Sequence, residues 1–149
     1  MQLYPFLAIS ALCAGFATSA LAQSVDIKNA WIRASVQGQS ATGAFMTLTS
    51  REDTRLVGVV SPAAGVAEVH EMKVDNGIMK MRAVEGGLAL PAGKAVELKP
   101  GGYHVMLMDL KAALPKGSTV PMTLVFKDAK GVESRVELTL AVATAGALR

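Results

Sequence analysis

The stretch from Val69 to Val84, "VHEMKVDNGIMKMRAV", decides how this chain folds. Asn76-Gly77 stands at its centre. A two-residue type I′ turn needs φ > 0 at both central positions, which Asn and Gly tolerate best. The dipeptide therefore predicts a β-hairpin with Asp75 opposite Ile78, Val74 opposite Met79, Met72 opposite Met81 and His70 opposite Ala83. Side chains alternate along a strand. One face of the hairpin then carries His70, Met72, Val74, Met79, Met81 and Ala83. The other sets Glu71 against Arg82, a favourable pair, and Lys73 against Lys80, a repulsive one, so it is the solvent face. A slip of one residue would exchange the two faces.

Outward from the hairpin, the chain is a series of short β-like runs: "VDIKNAWIRA", "GAFMTLT", "RLVGVVS", "VAEVHEMKV", "GIMKMRAV", "KAVELK", "YHVMLMDL", "TVPMTLVFKD" and "VESRVELTLAV". Gly, Pro, Asn and Asp break them at "SPAAG", "PAGK", "KPGG", "PKGS" and "DAKG". In "RVELTLAV" the apolar Val136, Leu138, Leu140 and Val142 alternate with Glu137 and Thr139, as in a strand with one buried face. No segment keeps a helical period for three turns, and a short helical turn is expected only near "DLKAALPKG". Nine strands in about 120 residues predict an antiparallel sandwich or barrel.

The 149 residues suffice for one domain with its own core. Residues 1–22 contain no Asp, Glu, Lys or Arg and end Ala20-Leu21-Ala22, an A-x-A cleavage signal. Their apolar stretch is short for a membrane span. The expectation is a signal peptide at 1–22 and a single domain at 23–149, exported with no stable membrane insertion after cleavage. The leader has no Lys or Arg at its start, so an uncleaved anchor is the alternative. Leu12 precedes Cys13 where a lipoprotein signal has a small residue, which argues against lipid attachment. Cys13 is the only cysteine, so the processed chain has no thiol. Disulfide scaffolds, thiolate zinc sites, cysteine nucleophiles and a blue-copper centre are excluded together. The net charge of +3 comes from scattered basic residues, with one Trp and two Tyr, and leaves no nucleic-acid footprint.

The second histidine, His104, shares its strand parity with Met106 and Met108. Five of the eight methionines lie between residues 72 and 108, with both histidines in the same window. In the hairpin, His70 and Met81 are diagonal neighbours, roughly 7–8 Å apart at Cβ, within reach of one shared ion. Neutral imidazole and thioether donors suit a soft, low-charge ion, Cu(I). Zn(II) prefers thiolate, imidazole or carboxylate, and Ca(II) and Mg(II) prefer oxygen. Thioethers cannot be lost to disulfides outside the cytoplasm, although sulfoxide formation would spoil them. A donor set without a charged ligand suits a carrier better than an enzyme. Glu71 faces away from His70, and no GxSxG, HExxH or phosphate-cradling loop is present. The pattern also admits a second reading, in which the methionines fill an irregular core and the histidines are hydrogen-bonded core residues. The chain would then be an exported sandwich that binds a protein or envelope component with no metal.

These residues resemble the periplasmic copper chaperones called PCuAC. The family motif is a His, ten residues, a Met, about twenty-one residues, then His-x-Met. Here His70 is followed by ten residues and Met81, then by twenty-two residues, His104, Val105 and Met106. The extra residue is assigned to the "EGGLAL" loop. "AWIRAS", "RLVGVVSPAA", "VELKPGGYHVMLMDLK" and "MTLVFKD" are further landmarks, so the resemblance covers about residues 25 to 142. It implies a cupredoxin-like antiparallel β-sandwich with a Greek key. It implies Cu(I) held at an exposed site by His70, Met81, His104 and Met106. It also implies delivery to an acceptor, either the CuA centre of a cytochrome c oxidase subunit or another copper carrier, or a role in periplasmic copper handling. Some members add a Met- and His-rich tail. This chain ends "VATAGALR", so no second, Cu(II)-binding region is expected. Met72, Met79 and Met108 are assigned to a supporting apolar shell and Trp31 to sheet packing.

Overall fold

A computed structural model describes residues 24–144. The expected signal peptide lies outside the described residues. Ten strands form: β1 (Val25–Arg33), β2 (Ala41–Ser50), β3 (Thr54–Val60), β4 (Ala64–Asp75), β5 (Ile78–Ala83), β6 (Leu88–Leu90), β7 (Ala95–Leu98), β8 (His104–Leu110), β9 (Thr119–Asp128) and β10 (Glu133–Ala143). Among the described residues there is no helix long and apolar enough to cross a membrane.

The strands are joined in the order β5-β4-β8-β2-β1-β10-β9-β3-β6, and β7 pairs with the second half of β2. This open sheet folds over a common core as the expected cupredoxin-like β-sandwich, and β5 and β6 remain its two ends. All pairings are antiparallel except one: β1 runs parallel to β10, with Trp31, Ile32 and Arg33 against Ala141, Val142 and Ala143. That pair brings the first and last strands together, so no hairpin constrains its direction.

Alternation sorts each strand into an inner and an outer face. Ile32 of β1, Ala44, Met46 and Leu48 of β2, Val69 of β4, and Val105 and Leu107 of β8 all enter the core. They meet Leu56, Leu124, Phe126 and Leu140 from β3, β9 and β10. Full burial of each large aliphatic side chain is worth about 1.5–3 kcal/mol. The opposite parity of the same strands (Trp31, Phe45, Glu68, His70, Met72, His104, Met106 and Met108) therefore lies on the outer face.

The hairpin has the expected register, from His70 opposite Ala83 to Asp75 opposite Ile78. Asn76 and Gly77 have φ of 50° and 78°, the left-handed values that a type I′ turn requires. On the solvent face Arg82 bonds Glu71 at 2.7 Å, and Lys80 turns to Asp75 at 2.9 Å rather than facing Lys73.

Two expectations are corrected. Leu88–Leu90, read as loop, is a strand that pairs with Thr54–Leu56 of β3, so nine strands become ten. The Gly86-Gly87 turn precedes it, with φ of 73° and 89°. No helical turn forms near "DLKAALPKG". Leu114 there is tied to the end of β1 instead: its N–H donates to the Ser35 hydroxyl and its carbonyl accepts from the Ser35 N–H. Those bonds use the groups a helical turn would need.

Candidate metal centre

The pairing of β4 with β8 sets His70 directly opposite His104. Their ring centroids are 6.0 Å apart and the planes are inclined by 50°. With metal–nitrogen bonds of about 2 Å, two imidazoles sharing one ion have centroids roughly 6 Å apart or closer. The separation is therefore compatible with an ion between the rings.

Each ring has one nitrogen occupied. His104 Nδ1 lies 3.0 Å from the Gly102 carbonyl oxygen, an acceptor, so Nδ1 carries the proton and donates. That leaves the lone pair on Nε2. His70 Nε2 lies 3.0 Å from Glu68 Oε2, while His70 Nδ1 is buried with no hydrogen-bond partner among the described residues. A buried, unpaired polar nitrogen is costly in a protein interior. A ligand at this atom would relieve the cost, so the donor set fits a metal on an observation of the fold itself.

The two methionines of the motif flank the histidine row on opposite sides. Met81 on β5 faces Met72 and is diagonal to His70. Met106 on β8 faces Glu68 of β4 on one side and Gly43 of β2 on the other. The four residues thus run diagonally across three strands, and the three rotatable bonds of a thioether let each sulfur turn toward the histidines. Met81 is 47% exposed, whereas His104 is only 5% exposed. Among the described residues no three His, Cys, Asp or Glu side chains converge as a metal site.

An aromatic row supports His104 from the other side. Phe45 lies 6.4 Å from the His104 ring and 4.8 Å from Trp31. Arg33 sits over Phe45 at 5.3 Å, a cation–π contact. A Cβ on Gly43 would come 2.9 Å from Phe45 Cζ, so only glycine lets this ring lean beside Met106. Trp31 is thus a packing residue, as expected. Met72 and Met108 are half-buried as supporting side chains, but Met79 is 52% exposed and lines the hairpin rather than a packed shell.

Sequence reasoning missed Glu68. It weighed Glu71, the neighbour of His70 in sequence, which points to the other face. The signal was parity: Glu68 precedes His70 by two positions and so shares its face.

A family model described as "Putative lipoprotein LpqE-like" matches residues 25–144. A protein of Leifsonia xyli subsp. xyli named "Putative lipoprotein Lxx21020" is 36% identical over 107 residues, 72% of this chain. The chain spans 64% of the length of that relative. The solution structure of apo-DR1885 from Deinococcus radiodurans is 32% identical with a TM-score of 0.58, covering 96% of this chain and 95% of that one. A copper-bound PCuAC domain from PmoF2 is 28% identical with a TM-score of 0.63, covering 81% and 93%.

The site predicts an asymmetry in stability. His104→Ala removes a buried, hydrogen-bonded ring and should cost about 1–3 kcal/mol. Met81→Ala, on the exposed hairpin, should change stability by no more than about 0.5 kcal/mol. Urea unfolding of the metal-free variants measures both.

Proposed function

The chain belongs to the LpqE-like family and shares the fold of PCuAC domains, and from that premise we propose that it is an exported carrier of Cu(I). His70, Met81, His104 and Met106 hold the ion as cargo. The observation that carries this reading is the facing pair of histidines, each with one ring nitrogen engaged by an oxygen acceptor and the other left for a ligand. Copper in the PmoF2 domain supports the choice of metal. The thioethers support the oxidation state, because soft neutral sulfur favours Cu(I) over harder ions.

The geometry suits transfer. The site lies on the outer face of the sandwich rather than in its core, beside the half-exposed Met81. An acceptor could displace that outermost thioether first, while the buried His104 holds the ion. The acceptor is the CuA centre of a cytochrome c oxidase subunit or another copper carrier. The neutral donor set leaves the ion free to be handed on, and the chain acts as a carrier, not an enzyme.

The metal-free reading, an exported binding module, is less well supported. It needs the methionines as core, whereas Val105 and Leu107 fill the core from β8 and Met106 and Met108 lie half-buried on the opposite face.

Export places the domain in the periplasm, with cleavage after Ala22. The relative's name points to a lipoprotein, and Leu12 before Cys13 argues that this chain is released instead.

Two measurements test the proposal. Titration of the reduced protein against a Cu(I) chelator should find one tight equivalent. His70→Ala, Met81→Ala, His104→Ala and Met106→Ala should each weaken it at least about tenfold, while Met46→Ala should not. Unchanged binding in the first four variants would remove the assigned ligands. Intact mass of the exported protein should correspond to a chain starting at Gln23; a lipidated Cys13 would overturn the cleavage assignment.

A further inference from the structure

The contact between Glu68 and His70 is the one feature of the site that its ligand set does not use. Both residues are on β4, two positions apart on the same face, so the strand itself builds the contact and no loop has to close. Glu68 Oε2 lies 3.0 Å from His70 Nε2. A carboxylate oxygen only accepts, so the proton of a neutral imidazole is held on Nε2 and the lone pair is left on Nδ1. Nδ1 is the buried nitrogen without a partner. Glu68 also stands opposite Met106, so the same side chain borders the second ligand strand.

We propose that Glu68 is a positioning residue: it fixes His70 as the Nε2–H tautomer and presents Nδ1 to the incoming ion. The identity of that ion rests on the copper-carrier reading; the tautomer does not. Outer partners of this kind orient a ligating histidine and set which nitrogen meets the metal. The Glu68 side chain is 47% exposed, so its charge is screened by solvent. Its effect is therefore acceptance of a hydrogen bond rather than a buried charge, and a glutamine carbonyl should replace it.

Ring nitrogen chemical shifts of the copper-free protein at mildly alkaline pH test this directly. Wild type should show His70 protonated on Nε2. Glu68→Ala should mix or invert the tautomers, and Glu68→Gln should restore the wild-type pattern, with folding of each variant checked by its amide spectrum. In Cu(I) competition, Glu68→Ala should weaken binding by about 10–100-fold, and Glu68→Gln should recover most of the loss. His70 protonated on Nδ1 in wild type, or a tautomer unmoved by Glu68→Ala, would overturn the proposal. So would a Glu68→Gln variant as weak as Glu68→Ala, which would make the carboxylate itself a ligand. If wild type bound no Cu(I), the carrier reading would fail on its own, and the tautomer would still decide the role of Glu68.

Discussion

The antiparallel register between β4 and β8, which sets His70 against His104, is the constraint on which the rest of the site depends. The two residues lie far apart in sequence, and only strand pairing brings their rings to 6.0 Å. A shift of one residue would turn one ring into the core and the other out. The register is held from both sides. Val69, Val105 and Leu107 fill the core beneath, and the Asn76-Gly77 turn fixes β5 against β4, which brings Met81 diagonal to His70.

The chain solves a packing problem in an economical way. Strand β8 is apolar on both faces from Val105 to Met108, where it borders the site. One face closes the sandwich; the other carries methionines and histidines that remain partly open on the outer surface. Methionine suits this position because it covers apolar surface while leaving a soft donor free to turn. The Trp31–Phe45–His104 row gives the buried histidine a rigid backing. Met81, by contrast, stands on an edge hairpin whose second strand is exposed along its length. A firm side and a loose side are what a carrier that must both hold and release its cargo requires.

How much of this could be read from sequence depended on whether the signal was local. The hairpin register was legible because Asn-Gly specifies its turn, and both residues adopt the positive φ that this demands. The sandwich was legible from alternation and turn residues. Which face of "HVMLM" points inward was not, because Val105 and Leu107 are as apolar as Met106 and Met108. The parallel pairing of β1 and β10 links the two ends of the domain and leaves no local trace. Strand β6 is three residues long and follows a Gly-Gly turn, too short for a periodic pattern. Near Leu114, tertiary hydrogen bonds to Ser35 overrode local helical preference. Glu68 was legible in principle from its parity with His70, but adjacency in sequence drew attention to Glu71 instead.

The central claim is that a soft ion sits among two imidazoles and two thioethers on the outer face of this sandwich. X-ray absorption at the copper edge of the Cu(I)-loaded protein tests it most directly. The account predicts a mixed shell, with nitrogen scatterers at about 2.0 Å and sulfur scatterers near 2.3 Å, by analogy with other metal–imidazole and metal–sulfur bonds. A shell of nitrogen and oxygen alone, with no sulfur contribution, would contradict it.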